Sequence, residues 1–283
     1  MVSYQCCADV EANLIFEAFN RGFSDYSIRF ELAEQAFMER FFGPEGNSRE
    51  YSFLALAGGS AVGVILGGLK NYEGIRTMRC GTLAVDPEYR GTGVARKLFE
   101  LHKQEAVSQG CRQLFLEVLT GNDRAIQFYR KLGYEKIYDL AYFSLPASLE
   151  AVPQETTGYR ISPIGLPELR QSVRKASNVH INWQNDMDYM EKSSSLSCFG
   201  AYRDGELVAG LCVNPQGKIH FLWVDADCRA RGIARRLLGT AQAQLQPQQF
   251  STGFPNNHLL EGFLKRLGFA RNAVAQYEMY LTL

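Results

Sequence analysis

No charge of either sign is in excess in this 283-residue sequence: Lys and Arg total 30, Asp and Glu total 30, and the net charge is zero. Without a basic surplus the chain lacks the electrostatic term that supplies most nucleic-acid affinity, so no nucleic-acid partner is expected. Its seven cysteines, Cys6, Cys7, Cys80, Cys111, Cys198, Cys212 and Cys228, are odd in number and contain no Cys-x-x-Cys pair. That argues against a disulfide framework or a zinc site and for a reducing compartment. The N-terminus, Met1-Val-Ser-Tyr-Gln-Cys-Cys-Ala-Asp9, lacks the basic-then-apolar order of a secretory leader. No stretch approaches 18 uninterrupted apolar residues, so no membrane span is expected. The expectation is a cytoplasmic protein with neither metal nor membrane. At 46% hydrophobic and 21% charged it has an ordinary globular composition, and its length suits two domains of roughly 100–200 residues each.

What is present is a repeat. Arg90-Gly-Thr-Gly-Val-Ala95 returns as Arg229-Ala-Arg-Gly-Ile-Ala234, each after an apolar run ending in Val-Asp: Thr82-Leu-Ala-Val-Asp86, then Phe221-Leu-Trp-Val-Asp225. Phe128-Tyr-Arg-Lys-Leu-Gly-Tyr134 returns as Phe263-Leu-Lys-Arg-Leu-Gly-Phe269, and Phe53-Leu-Ala-Leu-Ala-Gly-Gly59 as Phe199-Gly-Ala-Tyr-Arg-Asp-Gly205. Three echoes in one order indicate a duplicated domain. The proline-bearing, aperiodic segment from Pro146 to Gly158 reads as the join. The expected organisation is therefore a first domain over 1–146, a linker over 147–158 and a second domain over 159–283. In the first copy, apolar spacing predicts helices near 9–20, 31–42, 93–108 and 123–132. Strands are predicted at 51–57, 61–68, 77–85, 114–118 and 140–145. Strands interleaved with helices imply an α/β (α+β) class, a mixed sheet with helices packed on it.

The chemistry gathers at Val85-Asp-Pro-Glu-Tyr-Arg-Gly-Thr-Gly-Val-Ala95. An apolar strand stops, and a glycine-rich turn opens directly into a helix. Gly91 and Gly93 admit backbone torsions closed to other residues. The first helical N–H groups have no partner within the helix and point at whatever lies before them. With the helix dipole they form an anion site worth ~0.3–1 kcal/mol per exposed charge. Arg90 and Arg96 add cationic donors, so a phosphate group is the natural guest. Neither the dinucleotide fingerprint nor the P-loop fits, because position 96 is arginine and no Gly-Lys-Ser/Thr follows.

Arg90-x-x-Gly93-x-Ala95 after a Leu83-x-Val85 strand resembles the pyrophosphate-binding segment of the GCN5-related N-acetyltransferase (GNAT) superfamily. Leu116-Glu-Val118 followed by Asn122-Asp-Arg-Ala-Ile-Gln-Phe-Tyr-Arg-Lys-Leu-Gly-Tyr134 resembles its second hallmark segment, with particular similarity to the ribosomal-protein N-terminal alanine acetyltransferase branch. The resemblance implies two tandem domains of that fold, each a mixed, largely antiparallel sheet flanked by helices. It implies acetyl-CoA as acyl donor and a small-molecule or peptide amine as acceptor. It assigns the backbone of Leu83, Ala84 and Val85 to the pantetheine arm and polarisation of the thioester carbonyl. The amides of Arg90, Gly91, Thr92, Gly93, Val94 and Ala95, with Arg96 beside them, go to the pyrophosphate, and Asn122 to the coenzyme. Tyr129 matches the tyrosine that protonates the departing thiolate, and Glu117 a carboxylate proposed as general base, directly or through water. Those roles agree with general chemistry: an amine must lose a proton as it attacks, and a tyrosine with a reference pKa of about 10 can donate while staying un-ionised at neutral pH. Structural readings stand beside them, with Tyr129 as a core aromatic and Glu117 as a buried carboxylate.

The second copy keeps the turn, as Arg229, Arg231, Gly232, Ile233 and Ala234 after Leu222 and Val224, with Asn257 in the place of Asn122. Leu264 replaces Tyr129 and Thr252 replaces Glu117, and neither can do acid–base work. This copy is expected to offer a second coenzyme site without that mechanism. His258, beside Asn257, reads as a surface histidine at a helix start, His220 as a further polar feature, and Trp223 as core. Toward the acceptor, the resemblance points to Phe19–Tyr26, where Asp25 would attract an ammonium group and Tyr26 or Phe23 would pack against it. A capping role for Asp25 is the alternative. Two function classes therefore stand: an N-acetyltransferase working in the first domain, and a non-catalytic acyl-CoA-binding or sensing protein. A homodimer is left open.

Overall fold

The computed structural model describes residues 1–26, 31–146, 158–175 and 179–283. The expected linker lies outside the described residues except for Gly158. Contacts divide the chain into two compact units, one of Met1–Ile137 with Tyr277–Leu283, the other of Tyr138–Gln276.

In the first unit, β1 (Val2–Cys6), β2 (Asn47–Ala57), β3 (Ser60–Tyr72) and β4 (Ile75–Val85) form an antiparallel run in that order. β1 was missed in the sequence. It is an edge strand whose alternation is shallow, with no residue fully buried. Along β3, Val62 and Ile65 pack on one face and Ala61, Val64 and Leu66 on the other, the two-residue alternation being offset where the pairing with β2 shifts register opposite Ala61–Gly63. The first face is covered by α3 (Val94–Ser108) and α4 (Asp123–Lys131), through Leu98, Phe99 and Ile126. The second is covered by α1 (Ala12–Gly22) and α2 (Glu34–Phe41), through Ile15, Phe19, Phe37 and Phe41. Burying both faces of a sheet with one apolar stripe per helix is what the helical spacing predicted.

α1 lies closest to the sheet at its last residue. A Cβ on Gly22 would stand 2.6 Å from the Ala84 Cβ and 2.8 Å from the Val85 amide nitrogen, so only glycine fits there. β5 (Gln113–Leu119) runs parallel to β4.

The second unit repeats the plan. β7 (Arg160–Ile164), β8 (Ser197–Arg203), β9 (Glu206–Val213) and β10 (Ile219–Val224) are antiparallel neighbours. α5 (Leu166–Lys175) and α6 (Met187–Lys192) hold one small core with Cys198, Cys212 and Phe221. α7 (Ile233–Leu245) and α8 (His258–Arg266) pack Leu237, Leu238 and Leu264 against Phe199, Leu211 and Phe250 of the other. β11 (Gln249–Pro255) precedes α8, and β12 (Ala270–Thr282) follows it.

The two copies trade their last strands. β6 (Glu135–Pro146) pairs antiparallel with β11 in the second unit, Leu140 opposite Pro255 and Pro146 opposite Gln249. The end of β12 joins the first unit, where the Leu283 amide donates to the Arg112 carbonyl at 3.0 Å and the Tyr280 ring lies 4.9 Å from Phe115. The ranges 1–146 and 159–283 thus describe the sequence copies, while the compact units divide inside β6 and β12. Each unit is a mixed, largely antiparallel sheet flanked by helices, and the expected fold class stands.

Candidate active sites

β4 and β5 are paired over only three residues, Thr77 with Gln113, Met78 with Leu114 and Arg79 with Phe115. Beyond that point they diverge. Leu83, Ala84 and Val85 are bonded on one side to Ile65, Val64 and Gly63 of β3, and their other backbone edge faces the gap. Such an edge offers donors and acceptors to an amide-bearing chain without disturbing the sheet.

The turn after β4 is built by its own side chains. The Asp86 amide donates to the Val62 carbonyl at 2.9 Å, and the Asp86 carboxylate accepts the Glu88 amide at 3.0 Å. The Thr92 hydroxyl donates to the Tyr89 carbonyl at 2.6 Å. Gly91 and Gly93 take φ of 78° and 95°, the left-handed region, and a Cβ on either would meet nothing within 4 Å. Their glycine requirement is conformational, and the space before them is open. No side chain caps α3, so the amides of Val94, Ala95 and Arg96 face that space without helical partners.

Arg90 departs from its expected use. Its Nε donates to the Val85 carbonyl at 3.0 Å, one Nη to the Gly22 carbonyl at 2.9 Å, and its two Nη atoms to the Asp25 carboxylate at 2.5 and 2.7 Å. The guanidinium fastens the end of α1 to the end of β4 and is not a loose cation for a phosphate. Asp25, for its part, is held below the usual carboxylate range by its hydrogen bond from Arg90 rather than presented to an ammonium group. Arg96 is the exposed cation of this turn, in reach of Glu100 at 3.4 Å.

Asn122 caps α4, its Oδ1 accepting the Ala125 amide at 3.2 Å. The Tyr26 phenol is pushed up by burial, with neighbouring Asn122 pulling it down. The Tyr26 ring meets Phe23 edge-on at 4.9 Å. Tyr129 is buried on α4 and packs in the same core cluster as Cys80 of β4. Burial drives its phenol well above the ordinary value, with Cys80 and Tyr134 adding to the shift. The Cys80 thiol is pushed up to about 12 by burial, with neighbouring Tyr129 and Arg79 pulling the other way. A protonated phenol is therefore packed against β4 beside the gap.

Glu117 sits in a charge cluster that sequence reading missed. Arg79, the last residue paired between β4 and β5, donates to Glu117 Oε2 from Nη2 at 2.5 Å and from Nε at 3.0 Å. It also reaches Glu45 Oε2 at 2.8 Å and the Glu45 carbonyl at 3.2 Å. The Glu117 carboxyl is raised by burial against the pull of Arg79, with Glu278 and Glu45 raising it further. Burial alone would lower the Arg79 value; Glu117 and Glu45 outweigh it and keep the guanidinium charged. Glu117 Oε1 is buried with no hydrogen-bond partner. An arginine inside the apolar run Met78-Arg79-Cys80 was the available signal for this cluster.

The second unit rebuilds the turn almost bond for bond. The Asp225 amide donates to the Val208 carbonyl at 2.8 Å, and Arg229 Nε to the Val224 carbonyl at 3.1 Å. Gly232 opens α7 at φ 74°, and Asn257 caps α8 through the Leu260 amide at 3.0 Å. β10 and β11 touch through a single parallel bridge, Lys218 with Ser251, and then diverge. The opening is a cleft of about 740 Å³ lined by β10, β11, α8 and the residues from Arg229 to Ala234. Ala230, at φ 59°, stands where the first unit has Gly91. Leu264 is buried, and the Thr252 hydroxyl is tied to the Ile219 carbonyl at 3.1 Å. His258 is exposed at the start of α8. Trp223, expected in the core, is half-buried and lines the cleft, because β10 has lost its neighbour on that side.

Among the described residues no helix is long and apolar enough to cross a membrane, and no three His, Cys, Asp or Glu side chains are grouped to hold a metal.

Comparison with known proteins agrees with this geometry. A curated acetyltransferase, SG1711 of Sodalis glossinidius, is 35% identical over 82 residues, which is 29% of this chain and 55% of that protein; the match spans about half the relative's length. A tandem GNAT protein from the clavulanic acid biosynthesis pathway superposes with a TM-score of 0.73 at 16% identity, covering 100% of this chain and 98% of that one. A GCN5-related N-acetyltransferase from Sphaerobacter thermophilus does so with a TM-score of 0.72 at 12% identity, covering 100% and 95%. At those identities the structures attest the fold. The model of the acetyltransferase (GNAT) family matches twice, over residues 13–134 and 166–269, and the chain belongs to that family, with two of its domains in tandem.

Proposed function

We propose that the first unit transfers an acetyl group from acetyl-CoA to a primary amine. The observation that carries this is Tyr129: a buried, protonated phenol on α4, packed in one cluster with Cys80 and Val85 of β4 beside the β4–β5 gap. The turn amides from Gly91 to Arg96 would hold the pyrophosphate, and the unpaired edge of Leu83–Val85 the pantetheine arm. The amine nitrogen attacks the thioester carbonyl carbon, and the oxyanion is met by strand amides fixed in advance. The C–S bond breaks, and Tyr129 protonates the thiolate. The amine proton passes to Glu117 Oε1, directly or through a water, while Arg79 holds Oε2 in place.

The likeness of Leu116–Val118 and Asn122–Tyr134 to the ribosomal-protein N-terminal alanine branch makes a peptide N-terminus one acceptor worth testing, beside small amines. The test is coenzyme A release over a panel of peptide and small amines, for the wild type and Tyr129→Phe. We expect a fall in kcat of roughly 10²-fold or more with little change in acetyl-CoA affinity. An unaffected rate on several amines would remove Tyr129 from the mechanism. Acetyl-CoA binding with no turnover on any amine would favour the sensing role.

A further inference from the structure

The cleft of the second unit contains polar groups that the first unit's mechanism does not use. His220, on β10 where that strand leaves β11, is 6% exposed and lines the cleft. Its Nδ1 lies 3.2 Å from the Gln184 carbonyl oxygen. A carbonyl only accepts, so Nδ1 carries the proton and Nε2 carries the lone pair. The ring is stacked on Tyr189 at 5.6 Å, which fixes its plane. Burial and then Lys218 push the imidazole down to about 4, against the bond to Gln184, so it is uncharged at neutral pH.

Asn185 lines the same cleft and is 5% exposed. Its Nδ2 donates to Asn182 Oδ1 at 2.9 Å and to the Gly253 carbonyl at 2.7 Å, which settles which end of the amide is which. Its Oδ1 is left buried with no partner, an acceptor waiting for a donor.

Charge decides what kind of donor fits. Arg229, Arg231, Arg235 and Arg266 line the cleft, and none of the described lining residues is a carboxylate. An alkylamine, with a pKa near the ~10.4 of lysine, would enter as an ammonium ion with no counter-charge. An aromatic amine enters neutral and suits walls made by Ile181, Trp223 and Phe254.

We propose that the second unit is a second acetyl-transfer site, in which His220 takes the proton of a weakly basic aromatic amine held by Asn185 Oδ1. It rests on the reading that the glycine-rich turns hold acetyl-CoA. The amine nitrogen forms a bond to the thioester carbonyl carbon, and its N–H proton passes to His220 Nε2. The C–S bond breaks with its electron pair on sulfur, and the thiolate takes the proton from the imidazolium. One imidazole thus serves as base and then acid, where Leu264 can do neither. Sequence reading treated the loss of Tyr129 and Glu117 counterparts as loss of chemistry; the replacement lies on the other side of the gap.

The probe is 4-methoxyaniline with acetyl-CoA and full-length protein. Coenzyme A release is expected in Tyr129→Phe and should fall at least ~100-fold in Tyr129→Phe/His220→Gln. Independently of turnover, the 15N imidazole spectrum of the wild type, with four histidines to assign, should show the unprotonated Nε2 signal of His220 moving when 4-methoxyaniline is added to the coenzyme A complex. Equal rates in the two variants would overturn the proposal. So would an unmoved signal with no aromatic amine turned over by protein that binds acetyl-CoA; the first unit's assignment would survive that result. Calorimetry showing no acetyl-CoA binding at all would remove both.

Discussion

Arg79→Met is the perturbation whose size the structure fixes best. The Arg79, Glu45 and Glu117 side chains are 5%, 6% and 3% exposed, and the guanidinium stands between the two carboxylates. Methionine keeps much of the stem and removes the charge, leaving Glu117 buried without that counter-ion while Glu45 keeps Arg40 at 3.8 Å. Deleting one partner of a buried ion pair costs roughly 3–5 kcal/mol. At ~2–4 °C per kcal/mol, the first unit's melting transition should fall by roughly 6–20 °C at pH 8. The carboxylates can relieve themselves by taking up protons. Burial already holds Glu117 above its ordinary value against Arg79, and losing Arg79 raises it further. A carboxyl whose folded pKa exceeds its unfolded value stabilises the fold at low pH and loses that contribution as pH rises through the folded value. The deficit should therefore be largest at pH 8 and shrink toward pH 5. Thermal unfolding of full-length protein at both values reads it, and adding Glu117→Gln to Arg79→Met should recover part of the loss at pH 8. A drop smaller than about 2 °C at pH 8, or one equal at both pH values, would refute the electrostatic account of the cluster.

Two further outcomes follow from backbone geometry. Ala230 holds φ 59° where Gly91 holds φ 78°, so Ala230→Gly should stabilise the second unit and Gly91→Ala destabilise the first, each by ~0.5–1 kcal/mol in urea unfolding; shifts of the same sign at both positions would contradict this. Gly22→Ala drives a methyl group into Ala84 and the Val85 amide, so it should cost ~1–3 kcal/mol and weaken acetyl-CoA binding by displacing the open edge of β4, with calorimetry showing an unchanged Kd as the refuting result.

The duplicated turn was legible because its signals are local. Gly93 and Gly232 need their torsions whatever the surroundings, and Asn122 and Asn257 cap helices that start one residue later. The helices at 94–108 and 123–131 matched their apolar spacing to within a residue or so. What could not be read depends on partners far along the chain. Arg90 looks like a phosphate ligand until Gly22 and Asp25 arrive from 68 and 65 residues away. Glu117 looks like an unencumbered base until strand register brings Arg79 beside it from 38 residues upstream. His220 read only as a polar feature, because the Gln184 carbonyl that fixes its tautomer comes from 36 residues away. The periodicity of β6 and β12 says that each is a strand with one buried face, but it does not name the neighbour each will choose.

That choice of neighbour bears on how the protein is made. The first unit is complete only when Tyr277–Leu283 has arrived, although the rest of it ends at Ile137. At ~5–20 residues per second of synthesis, roughly 7–28 s separate the two. Through that interval β5 presents a bare edge on the ribosome, the kind of edge that recruits wrong partners. A nonsense codon or frameshift between the codons for Ile137 and Tyr277 would be felt as misfolding of the segment already translated, the one that holds Tyr129.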